Sequence, residues 1–166
     1  KCPEQLRESV VSALVAGVST RNVAKTQDAN TPGFSKSNVS RHWKAVGHQF
    51  VDQLRGHDLS EKDWAILMLD GIHLSQDQTA IVALGITTEG HKHVLDFELG
   101  SAENAEVCRG LMRRLVSRGF DCDRRLFAVL DGSKALRSVL LEFFNNAVTQ
   151  RCLVHKERNI RAKLSK

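Results

Sequence analysis

Two stretches of this sequence end the same way. Trp64-Ala65-Ile66-Leu67-Met68-Leu69 runs into Asp70-Gly71, and Leu126-Phe127-Ala128-Val129-Leu130 runs into Asp131-Gly132. The first is an unbroken apolar run of the kind expected for a strand covered on both faces, and the second is a shorter strand of the same type. A chain with such strands needs layers on either side of a sheet, so a mixed α/β fold is predicted.

The neighbouring segments supply the layers. Ala80 to Ile86 predicts a second strand, and Val94 to Leu99 a third that alternates, with Leu95, Phe97 and Leu99 on one side and Asp96 and Glu98 on a wet one. Turn signals near Asp77-Gln78 and Glu89-Gly90 make these three an antiparallel meander. A helix is expected from about Ala102 to Arg118, burying Val107, Cys108, Leu111, Met112 and Leu115 and closed by Gly119. Ser133 opens another, carrying Leu136, Val139, Leu140 and Phe143; a short strand spans Ala147 to Gln150, and a basic helix starts at His155. The predicted order is β-β-β-α-β-α-β-α.

The first third reads differently. Leu6, Val10, Ala13 and Leu14 recur at helical spacing and Gly17 ends that helix. Ser19 or Thr20 can cap a short helix through Val23 and Ala24, and Asn30-Thr31-Pro32-Gly33 signals a turn. Ser35 or Ser37 then caps a longer helix with Val39, Trp43, Val46, Phe50 and Leu54 on one face. This is a helix-turn-helix-like arrangement in which Lys36, Ser37, Asn38, Arg41 and Lys44 stand where phosphates or base edges can be met. A small helical bundle touching nothing fits the same pattern. The polar residues 57–63 lack apolar periodicity, which divides the chain into a helical segment 1–56, a linker 57–63 and an α/β domain 64–166.

Charge follows that division. Residues 1–55 hold eight basic and four acidic residues, 56–150 ten basic and fourteen acidic, and 151–166 six basic and one acidic. Basic flanks around an acidic centre suit a polyanionic partner, though scattered surface charge gives the same excess. Apolar runs are too short for a membrane span, no signal peptide is visible, and the widely spaced Cys2, Cys108, Cys122 and Cys152 fit a reducing cytoplasm. The sequence begins without Met and ends inside a basic helical pattern, so both ends read as cut.

The paired Asp-Gly steps also have a chemical reading. If the two strands are parallel neighbours, Asp70 and Asp131 leave the sheet at one edge. A divalent cation relieves the repulsion of two adjacent carboxylates and takes both as hard oxygen ligands. The competing reading is that Asp-Gly is an ordinary turn after a strand. Cys152 and His155 form a Cys-x-x-His step, but zinc wants four ligands. His42, His48, His57, Cys108 and Cys122 are at hand to complete a set without any spacing that requires it, so a buried cysteine with a capping histidine is the default. His91 and His93 are expected as solvated loop residues.

Taken together, "LMLDGIHL", "IVALGITTEGHKHVLDFELGSAENAE", "RGFDCDRRLFAVLDGSKAL" and "FFNNAVTQRCLVHKERNIRAKL" resemble the DDE transposases of the bacterial insertion-sequence group related to the Mutator elements. "GVSTRNVAK" followed by "FSKSNVSRHWKAV" is similar to that family's N-terminal DNA-binding region. The resemblance runs from about Ser19 to Lys166 and implies a ribonuclease H-like catalytic domain, whose strand and helix order matches the one predicted above. It further implies Mg²⁺ or Mn²⁺ chemistry on DNA, with Asp70 and Asp131 as the first two family acids and Cys152 and His155 as a motif beside the active site. The family's third acid is a Glu on a later helix beyond a largely helical insertion. Glu157 is too early for it, so the chain reads as truncated and inactive alone.

The expected partners are terminal inverted repeats and target DNA, with phosphates met by the N-terminal segment and by Arg151, Lys156, Arg158, Arg161 and Lys163. A homo-oligomer is plausible because a sheet lacking its last helix exposes apolar surface. A bacterial cytoplasmic protein, nucleoid-associated when bound, follows. Two alternatives share these features: a non-catalytic DNA-binding or assembly protein derived from a transposase, and a metal-dependent nuclease of the same fold. The nuclease leaves the Gln150-Arg151-Cys152 and His155-Lys156-x-Arg158-Asn159 motifs without an account.

Overall fold

The computed structural model describes residues 4–19, 22–23, 35–100 and 105–164. The chain divides into two compact units, Lys1–Gln53 and Leu54–Lys166.

In the first unit α1 (Glu4–Val15) ends where the sequence predicts. Gly17 adopts φ +87°, and Val18 N–H reaches back to the Ala13 carbonyl at 3.0 Å. A turn opens at Ser19, whose carbonyl accepts from Asn22 and Val23; the rest of the short second helix and the 30–33 turn lie outside the described residues. The longer helix is α2 (Lys36–Gly56), capped by Ser35 rather than Ser37, since Asn38 N–H donates to Ser35 Oγ at 3.3 Å. Val10, Val23 and Val39 form a small buried cluster. Of the apolar face predicted for α2, Val39 is buried, Val46 and Leu54 are half-buried, and Trp43 and Phe50 are exposed.

The second unit is a five-stranded mixed sheet in the order β3-β2-β1-β4-β5. β1 (Trp64–Ser75), β2 (Gln78–Thr87) and β3 (Lys92–Gly100) form the antiparallel meander, while β4 (Phe127–Leu130) and β5 (Val148–Arg151) run parallel to β1. α3 (Ala105–Ser117) packs on β3 and β2, and α4 (Lys134–Phe143) packs on α3. α3 buries Cys108, Leu111, Met112 and Leu115, as its periodicity predicts, and Gly119 closes it at φ +87°. Arg109 on α3 holds Glu142 on α4 through two hydrogen bonds of 2.8 and 3.0 Å. α5 (Leu153–Leu164) buries none of its residues. Residues 57–63, read as a linker, send Leu59 into the core, where its N–H meets the Arg118 carbonyl and its carbonyl accepts from Trp64 Nε1.

Three sequence expectations change. β1 does not stop at Asp70-Gly71: Asp70 pairs with Val82, Gly71 with Ile81, and the ladder runs on to Ser75. What stops at Leu69 is the parallel neighbour, because Leu69 pairs with Leu130 and β4 ends there. The apolar run therefore measures how far β1 is flanked on both edges, not how long it is.

β3 carries an extra residue. Ala83 faces Asp96 but Leu84 faces Val94, so Leu95 is a bulge, and a bulge re-aims the side chains beyond it. Asp96 and Glu98, expected in water, face the arginines of α3 instead, and Leu99 is exposed. Finally, His93 is not solvated: its ring meets Trp64 edge-on at 5.6 Å. His91 is exposed as expected.

Candidate active site

The parallel pairing of β1 and β4 sets the site. Leu69 and Leu130 are register partners, so the residues that follow them, Asp70 and Asp131, stand side by side where β4 ends against β1. Neighbouring strands lie about 4.8 Å apart, which brings the two backbones within reach of a shared ligand. β2 pins Asp70 through its pairing with Val82. Asp131 is aimed by the next turn: its Oδ1 accepts the Ser133 N–H at 2.7 Å, and Ser133 caps α4 by accepting from Leu136 N–H at 3.4 Å. One Asp131 oxygen is thus used in the turn, while the other has no hydrogen bond among the described residues.

Asp70 keeps a freer carboxylate. Its side chain is 48% exposed, yet Oδ1 is covered and without a hydrogen-bond partner. His155 stands beside it, with Nε2 3.6 Å from Asp70 Oδ1. His155 lies in the first turn of α5, immediately after β5, and β5 lies beside β4 because Cys152 N–H bonds the Leu130 carbonyl at 2.6 Å. The Cys-x-x-His step is thereby brought to the same edge as the two aspartates. Cys152 sits at the start of α5, where the backbone N–H and then the ring of His155 lower its thiol below the usual cysteine range. His155 is raised above the usual imidazole range, first by Cys152 and then, against desolvation, by the charges of Asp70, Cys152 and Asp131.

Among the described residues no three His, Cys, Asp or Glu side chains gather to hold a metal. Cys108 is buried in the core and Cys122 packs against it. Glu157 is held by Arg161 at 2.6 Å and Glu142 by Arg109 at 2.8 Å. Two carboxylates do suit Mg²⁺ or Mn²⁺, which are commonly held by one or two carboxylates, with water and phosphate oxygens filling the remaining positions. The buried, unpartnered Oδ1 of Asp70 is the kind of lone acceptor such an ion satisfies.

Gly132 joins the two halves of the site. It adopts φ +112°, and a Cβ built on it would come 2.6 Å from Arg151 Nε. Arg151 lies across this turn and donates to the Asp131 carbonyl at 3.4 Å. Gly132→Ala is therefore expected to cost about 2 kcal/mol in urea denaturation, from backbone strain together with displacement of Arg151.

The predicted DNA-contacting residues fall into three places, one of them Arg151, exposed at the end of β5. Lys36, Ser37, Asn38, Arg41 and Lys44 are exposed on the first three turns of α2, and all but Asn38 line one shallow groove with Ser40. Lys156, Arg158, Arg161 and Lys163 are exposed along α5. Sequence reasoning missed two things. The contact of His155 with Asp70 depends on the order β1-β4-β5, which no local pattern reveals. Lys134 and Arg137 line a cavity with Arg151; their i, i+3 spacing after the Ser133 cap was a readable signal.

Comparison with known proteins identifies the family. The profile of the family described as "Transposase, Mutator family" matches residues 2–166. The chain is 29% identical to the transposase for insertion sequence element IS905 of Lactococcus lactis subsp. lactis (strain IL1403), over 98% of this chain and 42% of the relative. It is 30% identical to the transposase for IS256 in transposon Tn4001 of Staphylococcus aureus, over 93% of this chain and 41% of the relative. It is 31% identical to the transposase for IS6120 of Mycolicibacterium smegmatis, over 81% of this chain and 42% of the relative. The chain thus spans about two fifths of the length of the curated relatives it matches. On the match across nearly its whole length, the chain belongs to the Mutator family of transposases.

Proposed function

We propose that this chain is the part of a transposase that carries the first two acids of a metal-dependent DNA cleavage and joining site, on a ribonuclease H-like sheet. The observation that carries the reading is the register of β1 and β4, which sets Asp70 and Asp131 side by side and leaves Asp70 Oδ1 without a partner. The sheet order, with three antiparallel strands followed by two parallel ones, supports the fold assignment.

Asp70 and Asp131 would hold Mg²⁺ or Mn²⁺. When bound, such an ion activates a water or hydroxyl and stabilises the leaving oxygen of a phosphodiester. Ser133 holds the Asp131 carboxylate in one orientation, and β2 holds the Asp70 main chain in the ladder, so both residues are positioned before the ion arrives. His155 sets its imidazole against Asp70. The cations of α5 and the early turns of α2 would meet backbone phosphates, the latter as a helix-turn-helix-like DNA-binding segment. DNA carrying the element's terminal repeats, and the target DNA, are the proposed partners.

The test is a Mn²⁺ titration of the chain followed by amide NMR. Paramagnetic broadening is expected first at residues 69–72 and 130–133 together. DNA binding without any such broadening would replace this reading with that of a non-catalytic DNA-binding protein.

A further inference from the structure

Beside the carboxylate edge lies a second feature that the metal site does not use. A cavity of about 300 Å³ opens between the first turn of α4 and the end of β5, with Lys134, Arg137 and Arg151 around it and Thr149 and Gln150 at its side. None of these three cations has a carboxylate partner among the described residues. Most arginines elsewhere in the same unit are matched to acids: Arg55 and Arg114 with Asp96, Arg109 with Glu142, Arg113 with Glu106, Arg124 with Asp63 and Arg161 with Glu157, Arg125 and Arg158 being the exceptions among the described residues. Three like charges around one cavity repel, and an anion seated there removes that cost.

The guanidinium groups are also held in place. Arg137 Nε lies 3.4 Å from Thr149 Oγ1, across from α4 to β5. Arg151 is laid over Gly132, where any larger residue would collide with it, and its Nε donates to the main-chain carbonyl of Asp131 rather than to the carboxylate. That choice leaves the Asp131 carboxylate available to a metal and the other Arg151 nitrogens available to an anion. Pre-placed planar guanidinium groups suit the oxygens of a phosphate, and less freedom is lost on binding than with mobile lysines. No aromatic side chain lines the cavity, so nothing there stacks a base.

We propose that this cavity is a phosphate subsite, taking a backbone phosphodiester of the DNA strand that passes the Asp70–Asp131 edge. The inference rests on the proposed function and adds the residues that hold the strand beside the carboxylates. Gly132 and Ser133 line the cavity and directly follow Asp131, so one strand reaches both places.

The experiment uses the whole chain, a short duplex oligonucleotide and a series of salt concentrations, read by fluorescence anisotropy. Arg137→Gln and Arg151→Gln are each expected to weaken DNA binding about tenfold, the loss of a charged hydrogen bond. The double variant should also reduce the slope of log affinity against log salt by about one, for one phosphate lost. Lys134→Gln, which leaves the β5 contacts in place, should weaken binding in the same direction, and Lys92→Gln, on β3, should not change it. Inorganic phosphate should shift the amides of residues 132–134 and 149–151, and the oligonucleotide should displace it.

Wild-type affinity and salt slope in both arginine variants, with thermal melting unchanged, would overturn the proposal. So would phosphate shifts at these amides that DNA cannot displace, since the cavity would then serve a free anion. A Mn²⁺ titration of the double variant separates the two ideas. Broadening at residues 69–72 and 130–133 must survive there, whereas its absence from the wild-type chain counts against the metal site and leaves the phosphate result standing.

Discussion

Asp70→Asn is expected to weaken Mn²⁺ binding by at least about 100-fold, the upper end of what loss of a mere outer-shell partner costs a metal site. The same substitution should leave the metal-free fold as stable as before, or stabilise it by roughly 0.5–1 kcal/mol. The opposite signs follow from the geometry. In the absence of metal Asp70 stands one residue past the β1–β4 register, as Asp131 does, so the two like charges repel; its Oδ1 has no hydrogen bond, and His155 Nε2 lies 3.6 Å away. An amide in its place relieves the repulsion and preserves the Asp70–Val82 pairing, which is a main-chain matter. Asp131→Asn should behave less cleanly, because Asp131 also accepts the Ser133 N–H at the turn into α4. Isothermal titration with Mn²⁺ and urea denaturation without it, run on both variants, check the pair of results. A large loss of metal-free stability in Asp70→Asn would assign the residue to the fold instead of the site.

The contrast between these two aspartates shows what a sequence can and cannot say about such a site. Both follow apolar runs; that the two strands lie parallel and adjacent was only a condition of the sequence reading, met by the register of Leu69 with Leu130, while the strands themselves were legible from pattern. The ends of the elements were not. Asp-Gly is a turn dipeptide by propensity, yet in β1 it sits mid-strand, because β2 is long enough to carry the ladder to Ser75. The same pair after β4 does form a turn, with Gly132 at positive φ. Local chemistry was identical and the neighbouring strand decided. His155 was visible as a motif, but its place beside Asp70 depends on β5 joining the sheet next to β4, a long-range choice. Least legible was Asp96. Its alternation with Leu95 and Phe97 reads as a solvated position, and only the single-residue bulge at Leu95 turns it toward α3.

That buried carboxylate should govern stability more than any other polar group in the second unit. Asp96 is 0% exposed. Its Oδ1 accepts from Phe97 N–H at 2.7 Å and Arg55 Nε at 3.3 Å, and its Oδ2 accepts from Arg114 Nε at 2.9 Å, with Arg118 Nη1 at 3.6 Å. Arg114 is shared with Glu98. Arg118 carries a further duty, donating to the carbonyls of Leu54, Leu95 and His57 and so securing the last turn of α2. Burial pulls Arg118 below the usual guanidinium range against the pull of Asp96.

Asp96→Ala leaves three guanidinium groups crowded together. Removing one member of a buried charge pair costs about 3–5 kcal/mol, and the lower end applies here because Arg55 and Arg114 are partly exposed and water can reach them. A loss of about 3 kcal/mol corresponds to a fall in Tm of about 6–12 °C for a chain of this size. Asp96→Asn keeps an acceptor for Phe97 N–H and should lose about half as much, whereas Glu98→Ala, with Asp96 still holding Arg114, should lose less than about 1 kcal/mol. The order Ala worst, Asn intermediate and Glu98→Ala mildest, read by thermal melting, is expected if Asp96 serves both as the charge facing the arginines and as the acceptor of Phe97 N–H. Equal losses for Asp96→Ala and Asp96→Asn would mean that the negative charge itself is what the arginines require, and a loss below about 1 kcal/mol for Asp96→Ala would mean that solvent replaces it at little cost.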